Sequence, residues 1–285
     1  MGTLYIVSTP IGHLEDITLR ALRTLKEVDV IAAEDTRHTA ILLQRYDIRT
    51  PTTSFHAHNE REKTTLLLAR LDKGQSLALV SDAGTPAISD PGYRLVQAAR
   101  EAGHRVFAVP GPSAVLAALV SSGFPTDSFV FLGFPPVKAG ARREWLRELT
   151  AMPRTALFFE APHRLRKTLV ELGQTLVNRP ICVAKELTKI HETLVVKPIN
   201  QVLASLDPVK GEYVIVVPPA DRDQSATIQH PTDDEVTDIF CRMTNQLAAS
   251  RRFGIAATAR HFGLRSRDVY TALERRKKRQ TTSQT

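Results

Sequence analysis

The chain has 285 residues, 42% of them hydrophobic and 24% charged, with a formal net charge of +8. That length and balance exclude a disordered, collagenous or disulfide-dependent chain and leave room for two compact domains. The charge is segregated: residues 251–285 hold ten Lys/Arg against two acidic residues, so the first 250 residues are formally neutral and the basic character sits in a C-terminal appendage.

The apolar run 4–7 reads as a strand entered almost directly from Met1, with no basic n-region or cleavage site. The longest apolar run, 114–120, is too short to span a bilayer, so the expectation is a cytoplasmic protein without a membrane segment. Further Val/Ile/Leu runs at 28–32, 77–80 and 106–109 alternate with helix-like stretches at 18–26, 60–71 and 93–101, the pattern of βαβ units. Apart from Asp29, these runs are apolar at every position, which suits strands covered on both faces of a mostly parallel sheet with right-handed crossovers. Residues 1–122 are therefore expected to form an N-terminal α/β domain. Beyond the break at Ser121-Ser122-Gly123-Phe124-Pro125, strands at 129–132, 155–159, 181–184, 193–196 and 213–217 define a second α/β domain over 123–219. Cys182 and Cys241 stand at no metal or disulfide spacing and read as inert core residues.

Pro218-Pro219 opens a polar stretch over 220–232 that reads as a linker. The remainder, 233–285, reads as a small all-α basic unit. A helical pattern over 233–249 is followed by another at 255–261, the turn Phe262-Gly263-Leu264 and a capped helix over 266–276, the outline of a helix-turn-helix. Arg265, Arg267, Arg275, Arg276, Lys277, Lys278 and Arg279 suit contact with a nucleic-acid backbone. A plain helical bundle, or a solvated tail, is the alternative.

Ligands of open α/β sheets bind outside the carboxyl ends of the strands, so the loops there hold the chemistry. After the first strand, 8–14 has a single glycine where a dinucleotide fold shows G-x-G-x-x-G, and no G-K-[ST] occurs anywhere, which weakens nicotinamide, flavin and P-loop readings. After the run 77–80 comes S-D-A-G-T-P-A-I-S-D-P-G (81–92), whose glycines and prolines impose a non-helical loop, with Asp82 at the strand end and Gly84 free to take positive φ. After 106–109 comes Pro110-Gly111-Pro112-Ser113-Ala114, where Ser113 is placed to cap the apolar helix that follows and leave amides for a ligand.

Together with T-P-I-G (9–12), A-E-D-T-R (33–37), S-F-H (54–56), H-N-E (58–60) and K-E-L-T-K (185–189), these loops resemble the tetrapyrrole methylase family of S-adenosylmethionine-dependent enzymes, over essentially the whole chain. The resemblance implies two α/β domains with S-adenosyl-L-methionine in the cleft between them. It implies that Pro10, Ile11, Gly12, Asp82, Ala83, Gly84, Thr85, Ser113, Ala114, Phe159 and Leu187 line the cofactor site. Within the family it is similar to one member in particular, which implies 2′-O-methylation of a cytidine in the decoding region of 16S rRNA in the small ribosomal subunit, by a homodimer. One departure stands in the first loop, where T-P-I-G-N-L becomes T-P-I-G-H-L, with His13 in place of asparagine. Two other readings stay open. A small-molecule methylase acting on a tetrapyrrole would share the cofactor loops, and a nucleic-acid-binding regulator would use its α/β body to sense S-adenosylmethionine.

A ribose hydroxyl is a weak nucleophile unless a base takes its proton or a cation stabilises the alkoxide. Glu34-Asp35-Thr36-Arg37 follows the second strand, and His56, His58 and Glu60 follow a short run at 52–55, so both groups fall at the sheet edge that holds the cofactor loops. His56, His58 and Glu60 are the base candidates and Arg37 the phosphate or alkoxide partner. Glu60 serves equally well as the first-turn acid of a helix, and His56 with His58 as metal ligands lack a third ligand signal. Glu160 and the Lys185-Glu186 pair come from the second domain, where a buried ion pair and cleft chemistry account for them equally.

Overall fold

The computed structural model describes residues 1–176, 179–206, 211–220, 233–247, 250–262 and 266–282. It divides into two compact units, Met1–Ala220 and Asp221–Thr285. The stretch read as a linker, 220–232, lies outside the described residues except for Ala220.

The first sheet is built from β1 (Thr3–Val7), β2 (Val30–Ala33), β3 (Thr52–Ser54), β4 (Ser76–Val80) and β5 (Arg105–Val109), in the order β3-β2-β4-β1-β5. Every pairing in it is parallel. The helices are α1 (Leu19–Glu27), α2 (Thr36–Arg45), α3 (Glu60–Asp72) and α4 (Tyr93–Glu101). Leu25 of α1 and Leu42 of α2 pack on one face with Ile31, Ala33, Ala78 and Val80, whereas Leu67 of α3 and Leu95 of α4 pack on the other with Val30, Ala32, Leu77 and Leu79. Alternate side chains of β2 and β4 thus meet a helix layer on each side, which is why those runs have no polar phase. β2 starts later than expected, because Val28 closes α1 and the Asp29 carboxylate accepts from the Ser76 amide and hydroxyl, both at 2.7 Å.

β5 departs from the expectation of two covered faces. It is an edge strand with Arg105, Phe107 and Ala108 exposed. The cause is the next helix, α5 (Ala114–Ser121), whose Val115, Ala118 and Leu119 pack against the second sheet and leave β5 without its own cover.

The second sheet contains β6 (Phe129–Phe131), β7 (Thr155–Glu160), β8 (Pro180–Lys185), β9 (Thr193–Pro198) and β10 (Tyr213–Val217), ordered β6-β7-β10-β8-β9. Only β6 and β7 pair parallel; the rest is antiparallel. One face packs on α6 (Ala139–Thr150), α7 (Pro162–Gly173) and α8 (Ile199–Ala204) through Leu149, Leu165, Leu169 and Val202; the other receives α5. Cys182 is buried on that second face, and burial pushes its thiol up to about 11. Cys241 corrects the reading of two core cysteines: it is exposed on a helix of the C-terminal unit, whose apolar stripe faces elsewhere.

That unit contains α9 (Asp233–Leu247), α10 (Arg251–Phe262) and α11 (Ser266–Thr282) around Val236, Ala259, Val269, Ala272 and Leu273. Of the turn expected at Phe262-Gly263-Leu264, Phe262 ends α10, and Gly263 and Leu264 lie outside the described residues. Among the described residues no helix is long and apolar enough to cross a membrane.

Candidate active site

Because every strand of the first sheet runs the same way, the loops after β1, β4 and β5 emerge at one edge, and hydrogen bonds lock them together. The Thr9 amide donates to the Gly84 carbonyl at 2.8 Å and the Gly84 amide returns to Thr9 at 3.0 Å, a two-bond bridge that needs Gly84 at φ +79°. The hydroxyls of Ser8 and Thr85 lie 2.9 Å apart, and Ser113 caps α5 by accepting from the Leu116 amide. The loop after β8 closes onto this group from the second sheet: the His13 amide donates to Thr188 Oγ1 at 3.1 Å, and a Cβ on Gly12 would stand 2.9 Å from the Leu187 carbonyl oxygen. His13 also caps the short 3-10 turn Leu14–Asp16, its Nδ1 accepting from the Glu15 amide. A short amide side chain at that position performs the same task, so the substitution in the family pattern keeps the local function.

These loops enclose two adjoining cavities of ≈ 200 and ≈ 440 Å³ that share Ile11, Ala83, Lys189 and Glu212. The smaller is lined by Gly84 and Thr85 from the β4 loop, Ser113 and Ala114 from the α5 cap, and Phe159 and Leu187 from the second sheet. Pro10, Gly12 and Asp82 line the larger. All eleven residues named from the resemblance as cofactor contacts therefore border one continuous cleft.

Four non-glycine residues take positive φ beside this cleft: Ala87 (+68°) and Ser89 (+64°) in the β4 loop, Glu186 (+51°) and Thr188 (+66°) in the β8 loop. Such conformations persist where surroundings over-determine them, and the Thr188 amide is held by Glu192 Oε2 at 2.6 Å. Nothing in residue identity signals these four positions, since none is the glycine or asparagine that usually marks a left-handed turn.

The candidate bases are placed differently. His56 is held by Asn59, whose Oδ1 accepts from the His56 amide and whose Nδ2 lies 3.2 Å from Nε2, leaving Nδ1 buried without a partner. His58 is exposed, its ring centroid 6.0 Å from that of His56. Glu60 begins α3 and accepts from the Gly92 amide at 3.0 Å, fixing the end of the β4 loop. Arg37 projects into solvent and pairs with Asp35 at 2.6 Å. None of the four borders either cavity. Among the described residues no cluster of three metal-binding side chains occurs.

Carboxylates occupy the cleft instead. Asp90, Glu186 and Glu212 border the smaller cavity, Asp82 the larger, and Glu34 stands at the end of β2, its carboxylate accepting from the Asp82 amide. Glu186 pairs with Lys189 at 3.3 Å. Sequence reasoning misses Asp90, inside the β4 loop, because its character depends on burial and on Glu34, which no local pattern announces. Glu160 belongs to structure alone: it is fully buried and accepts from Thr168, whose hydroxyl in turn accepts from the Arg142 guanidinium at 2.7 Å, itself paired with Glu171.

In the C-terminal unit Arg267 and Arg275 are exposed on α11. Arg276 is turned to α9, pairing with Asp238 at 2.9 Å and Asp234 at 3.2 Å. Lys277, Lys278 and Arg279 continue the α11 backbone, and Arg265 lies outside the described residues.

Residues 3–203 match the model of the tetrapyrrole (corrin/porphyrin) methylases. Over 221 residues the chain is 49% identical to a ribosomal RNA small subunit methyltransferase I of Escherichia coli O157:H7, covering 76% of this chain and 77% of that one. Over 258 residues it is 46% identical to a protein of the same name from Mesorhizobium japonicum, covering 89% and 86%. Its fold is like that of uroporphyrin-III-C-methyltransferase from Thermus thermophilus, with a TM-score of 0.54 at 20% identity over 76% of this chain and 94% of the other.

Proposed function

The chain belongs to the tetrapyrrole methylase family, and on that premise we propose that it transfers a methyl group from S-adenosylmethionine to the ribose 2′-oxygen of a cytidine in the decoding region of 16S rRNA. One observation carries the reading: the near-half identity to proteins named ribosomal RNA small subunit methyltransferase I extends over most of both chains. The family match at 3–203 contains the cleft loops from β1 to β8.

The cleft fits the donor. Ala114, Val115, Phe159, Leu187 and Val214 offer an apolar wall for a nucleoside, Thr85 and Ser113 offer hydroxyls, and the carboxylates suit a cation. S-adenosylmethionine supplies an electrophilic methyl group on a sulfonium. The chain's share is to hold and aim it, exclude water and manage the acceptor's proton. The larger cavity is assigned to the target nucleotide, whose 2′-oxygen must reach past the shared residues Ile11, Ala83, Lys189 and Glu212 into the smaller cavity to meet the methyl group. Arg265, Arg267, Arg275, Lys277, Lys278 and Arg279 are assigned to the RNA backbone. The proposal includes a cytoplasmic homodimer, supported by Phe107 of β5 and Leu116 and Val120 of α5, apolar side chains left exposed.

The test is transfer of a tritiated methyl group to small ribosomal subunits from cells lacking the gene, followed by mapping of alkali resistance. A single alkali-resistant cytidine is the expected result. Intact cofactor binding with no incorporation into subunits would instead favour a tetrapyrrole substrate or a sensor.

A further inference from the structure

The β4 loop presents Asp90 to the smaller cavity from a backbone held at both sides. Ala87 and Ser89 are left-handed, and Gly92, at φ +141°, could not accept a Cβ, which would fall 2.8 Å from Leu79 Cδ2. Glu60 holds the Gly92 amide. Asp90 is the one titratable side chain that the loops of the first sheet contribute to this cavity among the described residues. Lys189, the cation that borders the same cavity among the described residues, pairs with Glu186 at 3.3 Å. The charges that act on Asp90 are Glu34 at the end of β2, Asp82 from its own loop and Glu212 ahead of β10, opposed by the Ser81 hydroxyl, which donates to the Ala83 carbonyl at 3.3 Å.

We propose that the Asp90 carboxylate accepts the proton of the target 2′-hydroxyl, with Glu60 as the positioning residue that fixes its loop. The proposal rests on the methyltransferase reading above. The O–H bond breaks, the proton passes to an Asp90 oxygen, and the electron pair left on the ribose oxygen forms the bond to the methyl carbon while the pair of the old methyl–sulfur bond stays on sulfur. The acidic surroundings then hold one positive charge throughout, first as the sulfonium and afterwards as the accepted proton. Burial first, then Glu34, Glu212 and Asp82, push the Asp90 carboxyl up to about 7 against the opposing Ser81 hydroxyl, the range a general base needs near neutral pH.

Two measurements on the full chain test this. In single turnover on small subunits with saturating S-adenosylmethionine, the wild-type rate is expected to fall as pH drops below about 7, and Asp90→Asn to lose on the order of 10²–10⁴-fold together with that acid limb. By calorimetry, Asp90→Asn should keep its affinity for S-adenosylhomocysteine within about threefold while losing the strengthening that the cationic donor, unlike the neutral product, gains in wild type as Asp90 ionises. Glu34→Gln, which removes a like charge, should move the acid limb to lower pH. A rate flat from pH 5 to 8 in wild type overturns the proposal whether or not the variant folds. So does Asp90→Asn activity within about threefold of wild type, or loss of product binding in that variant. Wild type that methylates no subunit RNA condemns the functional reading itself, an outcome distinct from an active Asp90→Asn.

Discussion

Asp90 has a consequence for stability as well as for chemistry. Its folded carboxyl titrates near 7, far above the ordinary 3.8, so the folded chain binds more protons than the unfolded chain between those values. Stability therefore falls as pH rises from about 4 to about 7, and the penalty is complete above that. Asp90→Asn removes the charge and should melt higher than wild type at pH 8, by a few degrees, with the gain gone at pH 4. Equal melting temperatures at pH 8 would mean that Asp90 is solvated in the folded protein. A gain in stability with a loss of rate is the usual signature of a functional group kept in an unfavourable setting. The residue shows what is illegible in the chain. Gly84 and Ser113 can be assigned their roles because positive φ and helix capping are local demands. Asp90 owes its raised pKa first to burial and then to Glu34 and Glu212, distant in sequence, and residue type alone does not announce that Asn59 holds the His56 amide and ring.

At the scale of elements, strands are readable because a run of apolar side chains with no polar phase demands cover on both faces, and α4 is readable from its periodicity. The destination of α5 is not. A helix of seven consecutive apolar residues announces burial without saying against which sheet, and its choice of the second sheet both exposes β5 and closes the cleft. Helices α2, α6, α7 and α8 escape the sequence reading, although Pro162 at the start of α7 is a recognised first-turn signal. Close approach between elements is equally hidden until the backbone is in place. Gly12 fits against the β8 loop with no space for a side chain, so Gly12→Val should separate the two loops. The expected result is at least tenfold weaker S-adenosylhomocysteine binding by calorimetry, with melting temperature lowered by only a few degrees. Unchanged affinity would show that the β1–β8 loop contact does not shape the cleft. Gly254 on α10 lies against Thr244 and the Phe240 ring of α9, where a Cβ would stand 2.5 Å from Thr244 Cγ2. Gly254→Val should cost the C-terminal unit about 1–3 kcal/mol, read by hydrogen exchange in α9 to α11, and leave exchange in the first sheet unaltered.

For the whole molecule, the placement of charge separates binding from folding. The net +8 of the chain resides in its last 35 residues, within the C-terminal unit, while the cleft of the larger unit gathers carboxylates. An acidic cleft suits a cationic donor, and a polyanion as long as rRNA needs its backbone neutralised elsewhere. This division is legible in composition alone, whereas the division of labour among the arginines is not. Arg276 spends its guanidinium on Asp234 and Asp238, which ties α11 to α9, while Arg267 and Arg275 on the same helix are exposed. Removing a phosphate contact lowers the salt slope of RNA binding by about 0.7–0.9. The double variant Arg267→Ala, Arg275→Ala should therefore reduce the slope of log affinity against log salt for 16S rRNA by about 1.5, with affinity for S-adenosylhomocysteine unchanged. Arg276→Ala should instead lower the melting temperature of the helical unit slightly, with little change in the slope. If Arg276→Ala alone flattened the salt dependence while the double variant did not, the ion pairs to α9 would have to open on RNA, and α11 would meet the backbone through a different face.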